Sequence, residues 1–104
     1  MNRGYGLHPQ AYSDLDEIRD YIAQDSPDAA DRMIDEIFGS SERLAQFPGL
    51  GHARPDLTSR GLRFVAVRSY SIAYAPEGKP LRIIAVLHGR RNPRLIADVL
   101  RGRS

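Results

Sequence analysis

Along the chain, the spacing of apolar residues changes character twice, and each change marks a new kind of element. Ala11, Leu15, Ile18 and Ile22 recur at i, i+4, i+7 and i+11, and Asp14, Asp16, Glu17, Arg19 and Asp20 read as the solvated face of the same helix. Pro9 suits the first helical position, and the helix is expected to end near Gln24 or Asp25. Ser26-Pro27-Asp28 then supplies a cap, a preset φ and an acidic residue for the positive end of a second helix. Its stripe, from Ala30, Met33 and Ile34 through Ile37 and Phe38 to Ser41, Leu44 and Ala45, runs up to Phe47, where Pro48-Gly49 terminates it. So short a connection folds the two helices into an antiparallel hairpin.

Pro48 to Gly61 keeps no lasting period and reads as a loop crossing from helix to sheet. From Leu62 the period becomes that of strands. Leu62, Phe64 and Ala66 share one face of a first run, Arg63, Val65 and Val67 the other, and Tyr70, Ile72 and Tyr74 line one face of a second. The third run, Ile83 to Leu87, is apolar at every position, as expected of an inner strand covered on both faces. The separators Arg68-Ser69 and Pro76 to Pro80 make the three runs an antiparallel meander. Arg3 to Leu7 is a candidate first strand, and Asn92-Pro93 opens a short terminal helix through Leu95, Ile96, Val99 and Leu100 that Gly102 closes. The predicted fold is α+β: an N-terminal strand, a helical hairpin packed on a mainly antiparallel sheet of three to four strands, and a short C-terminal helix.

Length and composition narrow this picture. A chain of 104 residues has room for one core, so residues 1–104 are expected to form a single domain. No run approaches the roughly 18 apolar residues of a membrane span, and Met1 to Tyr5 lacks the apolar region of a secretion signal. A cytoplasmic protein with no membrane contact is expected, and the absence of cysteine excludes disulfides and thiolate metal sites.

Charge is divided between the halves. Residues 1 to 42 hold three arginines against ten carboxylates, a balance of −7, whereas residues 43 to 104 hold twelve cations against three carboxylates, +9. Lys79 is the only lysine. Arginine forks onto carboxylates and phosphates, which suits a recognition surface, although pairing of the acidic and basic halves within the fold is the simpler use of the same charges. His8, His52 and His88 lack ligand spacing, no serine lies in G-x-S-x-G, and Gly49-Leu50-Gly51 follows a helix where a phosphate loop would precede one. No metal or cofactor is expected. His88, Arg90 and Arg91, at the end of the inner strand, are the candidate target-binding residues, with Arg63 and Arg82 in support.

Several stretches taken together carry a family resemblance. They are Ala11 to Ile18 with Tyr21-Ile22, Ser26-Pro27 with Ala30, Leu44 to Pro48 with Gly51, Pro55-Asp56-Leu57, Leu62-Arg63, Tyr70 to Tyr74, and Val86 to Arg91. In this order and spacing the chain resembles the ParE/RelE superfamily of bacterial toxins from type II toxin–antitoxin pairs. The resemblance implies a cognate antitoxin, ParD-like or other, in a toxin–antitoxin hetero-oligomer. It also implies one of two targets: DNA gyrase for ParE-like members, or messenger RNA in the ribosome for RelE-like ones. For a RelE-like nuclease the catalytic candidates would be His88, Arg63, Arg82 and Arg90. Such nucleases usually carry lysines ahead of the meander and an aromatic near the C-terminus. Here the lysine is in a turn and no aromatic follows Tyr74, so the ParE-like branch, with no catalytic residues, is expected. A module that only binds its antitoxin is the non-toxic alternative.

Overall fold

The computed structural model describes residues 4–103. Its elements are β1 (Tyr5–Leu7), α1 (Pro9–Ala23), α2 (Pro27–Gln46), β2 (His52–Ala53), β3 (Arg63–Val67), β4 (Tyr70–Ala75), β5 (Leu81–His88) and α3 (Pro93–Arg101). They form one sheet in the order β1-β5-β4-β3-β2, parallel between β1 and β5 and antiparallel elsewhere. The α+β expectation holds, and β5 is an inner strand. Arg3, included in the expected first strand, lies outside the described residues. The expected count of three to four strands rises to five, because His52 and Ala53, inside the expected loop, pair with Phe64 and Arg63.

Each helix begins where its sequence provides an acceptor. Ser26 Oγ accepts from Ala29 N–H at 3.2 Å and Asn92 Oδ1 from Arg94 N–H at 2.8 Å, each followed by proline at the first helical position. In α1 the cap is His8, whose Nδ1 accepts from Gln10 N–H at 3.0 Å. Burial, chiefly, and then the Arg82 and Arg103 guanidinium groups lower the His8 pKa; Arg60 adds slightly and the Asp14 carboxylate opposes. The unfolded chain therefore takes up this proton near pH 6.5, its ordinary value, before the folded chain does. Stability from this group is complete above about pH 6.5 and falls as the pH drops toward the lower folded value. His8→Asn keeps a cap acceptor without a titration, so its urea midpoint should lose that part of the acid slope. An unchanged slope between neutral and mildly acidic pH would remove His8 from the account.

The sheet has a core on each face. Toward the helical hairpin, Leu15, Ile18, Met33, Ile34, Ile37 and Leu44 meet Tyr5, Ile72, Tyr74, Leu81, Ile83 and Val86. On the other face, Leu57 from the loop and Ile96 and Leu100 from α3 cover Phe64, Ala73, Ile84, Ala85 and Leu87. The two covers explain why β5 has no polar position between Ile83 and Leu87. They also require a break in its alternation: the β4–β5 register slips by one residue between Ala73 and Tyr74, leaving Ile84 as the extra residue. Ile84 and Ala85 consequently both join the core under α3, and Val86 returns to the helical side.

Candidate target-binding site

Beside this bulge the structure corrects one reading of the sequence. Asp14 is buried, not part of the solvated face, whereas Asp16, Glu17 and Asp20 are exposed as expected. The pairing of β1 with β5 stops at Ile83, and beyond it side chains take over the edge. Asp14 Oδ2 accepts Val86 N–H at 2.9 Å, and Arg103 donates to Ile84 O at 3.1 Å and to both Asp14 oxygens at 2.6 and 2.9 Å. A buried ion pair thus completes a strand edge that no strand covers. The signal was present in the sequence: Asp14 sits at i+3 from Ala11 and i−4 from Ile18, inside the apolar stripe. Nothing local points to Arg103.

Above the pair, a cleft of about 680 Å³ opens between the second half of α1 and the ends of β4 and β5. Ile18, Ile22, Met33 and Val86 contribute apolar walls, and Tyr21, Arg68, Tyr70, His88 and Arg91 also line it. Tyr70 and His88 are cross-strand partners whose rings meet edge to face, with centroids 5.4 Å apart and planes at 76°. Burial, and then the neighbouring Tyr21, raises the Tyr70 phenol above its ordinary pKa, so it stays a neutral donor. Arg68 opens the two-residue β3–β4 turn at φ 54°, a left-handed conformation that costs a side-chain-bearing residue about 1–2 kcal/mol. Two hydrogen bonds to Glu36 on α2 hold it there and pull the Glu36 pKa down.

The sequence-derived candidates separate into two groups. His88, Arg90 and Arg91 come together in a fastened turn: Gly89 N–H donates to Ser69 O at 2.7 Å, Arg91 N–H to His88 O at 3.0 Å, and Arg90 N–H to His88 Nδ1 at 3.1 Å. Because Nδ1 accepts, neutral His88 carries its proton on Nε2. Arg63 and Arg82 lie at the opposite end of the sheet, opposite Tyr74 and Ala75 in the register, whereas His88 is opposite Tyr70. At about 3.4 Å per residue, the six positions from Arg82 to His88 span about 20 Å. Arg63 is further committed, donating to Gly51 O at 2.6 Å. Tyr21 and Tyr70 were not among the sequence candidates, since one reads as a helix-face residue and the other as a strand-face residue until the fold brings them together.

A helical hairpin on a mainly antiparallel five-stranded sheet, with β1 parallel to the last strand, is a ParE-like α+β fold. A solved structure described as the chromosomal ParDE TA system from P. aeruginosa superposes with a TM-score of 0.68 over 81% of this chain and 92% of that one, at 24% identity. Residues 5–93 match the family described as ParE toxin of type II toxin-antitoxin system, parDE. Toxin ParE3 of Caulobacter vibrioides is 34% identical over 76% of this chain and 79% of its own length. Toxin RelE2 of the same organism is 36% identical over 79% of this chain and 90% of its own. The chain belongs to the ParE toxin family, within the ParE/RelE superfamily of type II toxin–antitoxin toxins.

Proposed function

We propose that this toxin acts in the ParE manner, inhibiting DNA gyrase, and that a cognate antitoxin neutralises it. The observation that carries the reading is the match of residues 5–93 to the ParE toxin family, and the separation of His88 from Arg63 and Arg82 along the sheet agrees with it. Cleavage of RNA through its own 2′-OH needs an acid, a base and a cation gathered around one phosphate. Here His88 keeps Arg90 beside it, but the other two proposed phosphate clamps stand about 14–20 Å away by strand rise, and Arg63 is occupied by Gly51 O. What converges at the strand end is a recognition surface: the Tyr70–His88 pair with Arg90 and Arg91. The relative named ParE3 and the likeness to a ParDE structure support the same branch. The apolar cleft beside α1 suits an antitoxin segment that folds as it binds, since it offers hydrophobic pockets with charged anchors at the rim.

The test is expression without antitoxin, supercoiling assays with purified gyrase, and mapping of cleaved transcripts. The expected result is growth arrest with impaired supercoiling and intact messages. Codon-specific cleavage with normal supercoiling would overturn the reading. Arg90→Ala with Arg91→Ala is expected to abolish arrest while the protein stays folded, because neither side chain has a partner in the fold among the described residues. A stable double variant as toxic as wild type would take both arginines out of the site.

A further inference from the structure

From Arg82 to Ala97 the chain carries Arg82, His88, Arg90, Arg91 and Arg94 and no carboxylate. Most other arginines of the basic half are engaged inside the molecule: Arg54 by Asp56, Arg60 by Leu100 O and Arg103 O, Arg63 by Gly51 O, Arg68 by Glu36, Arg101 by Asp98, and Arg103 by Asp14. Among the described residues, Arg90, Arg91 and Arg94 have no such acceptor. All three are exposed, as are Gly89 before them and Asn92 and Pro93 between them. Their backbone is nevertheless fixed, by Gly89 N–H on Ser69 O and by the helix cap at Asn92. Three free guanidinium groups are thus presented from five consecutive residues on a turn anchored to the sheet.

The kind of partner follows from what the turn carries. Apolar and aromatic side chains do lie beside it, Leu95 exposed at the start of α3 and Tyr70 across from His88. Three unpaired guanidinium groups within five residues, with no carboxylate among them, are what a phosphodiester backbone binds, since released counterions supply the driving force. We infer that the turn carrying Arg90, Arg91 and Arg94 binds the phosphate backbone of duplex DNA, so that the toxin contacts the DNA held by its target as well as the target protein. The choice of DNA rests on the gyrase reading; the phosphate chemistry does not.

Fluorescence anisotropy of short labelled duplexes, titrated with the isolated chain at several salt concentrations, tests this. Wild type should bind unrelated sequences equally, with affinity falling steeply as salt rises. Arg90→Ala/Arg91→Ala/Arg94→Ala should lower the slope of log affinity against log salt by about 2.7, at about 0.9 per phosphate, and weaken binding by about a hundredfold in 0.1 M salt. Arg19→Ala/Arg43→Ala/Lys79→Ala, which removes three exposed cations elsewhere, should leave the slope within about one of wild type. Circular dichroism would confirm that both variants fold. No binding by wild type, an equal loss in the two variants, or tighter binding of single-stranded RNA than of duplex DNA would overturn the inference. Duplex binding without gyrase inhibition would defeat the proposed function alone, and gyrase inhibition by a chain that binds no duplex would defeat this inference alone.

Discussion

Arg103→Ala is expected to lower the unfolding free energy by about 3–5 kcal/mol, the usual cost of removing one partner of a buried ion pair. The Arg103 and Asp14 side chains are only 11% and 9% exposed, so alanine would leave a carboxylate without a counter-charge where little water reaches it. The same side chain also holds Ile84 O, and losing that partner adds to the penalty. Asp14→Ala should cost a similar amount, because it strands the guanidinium and frees Val86 N–H. The two losses should not add, since each removes the same pair. Apolar replacement of both, Asp14→Leu with Arg103→Met, should recover only part of the loss: the charges vanish but two backbone groups of β5 stay unpaired, at about 1–3 kcal/mol each. Urea unfolding of the wild type, the two alanine variants, their combination Asp14→Ala/Arg103→Ala and the apolar double variant measures these losses. A single-variant loss below about 1 kcal/mol would place the pair among solvent-screened surface bridges. Asp14 and Val86 line the cleft, so loosening the pair should also weaken whatever the cleft holds.

Gly51→Ala should be nearly as damaging, for a steric reason. A Cβ at this position would stand 2.6 Å from the Tyr74 hydroxyl and 2.8 Å from Phe64 O, and the second is backbone that cannot swing aside. Tyr74 is fully buried, and its hydroxyl accepts Gly51 N–H at 2.8 Å and donates to Pro48 O at 2.7 Å, pinning the loop after α2 to the sheet. Overpacking of this kind costs about 1–3 kcal/mol, and displacing the hydroxyl forfeits its hydrogen bonds at about 1 kcal/mol each. Tyr74→Phe loses the bonds but keeps the space, so it should destabilise less. The double variant should cost less than the sum, because removing the hydroxyl relieves the nearest clash while leaving Phe64 O in place. Thermal unfolding of the three variants would show the order; strict additivity would mean that the added methyl leaves the hydroxyl and its hydrogen bonds undisturbed.

Both predictions rest on contacts between residues distant in the chain, and such contacts were the least legible in the sequence. The α2 stripe, its Ser26-Pro27 start and its stop before Pro48 were readable because helix period and caps are set within a few residues. β2 was not, because a two-residue strand has no period and exists only by pairing with β3. Family resemblance led to the right fold and superfamily, whereas the grouping of Arg63 and Arg82 with His88 came from their place on the strands. Alternation along a strand assigns side chains to faces without saying which ends of neighbouring strands meet.

The sequence by itself determined the helical hairpin, the meander, the covered inner strand and the basic turn after it, since each follows from spacing, capping and composition over a short window. Only the tertiary structure decided that β1 runs parallel beside β5 for three residues, that Asp14 and Arg103 complete the edge it leaves, and that His88 stands at the far end of the sheet from Arg63 and Arg82. Strand register and the meeting of groups as far apart in the chain as Asp14 and Arg103 depend on how two cores pack against one sheet, and no local stretch of sequence encodes that packing.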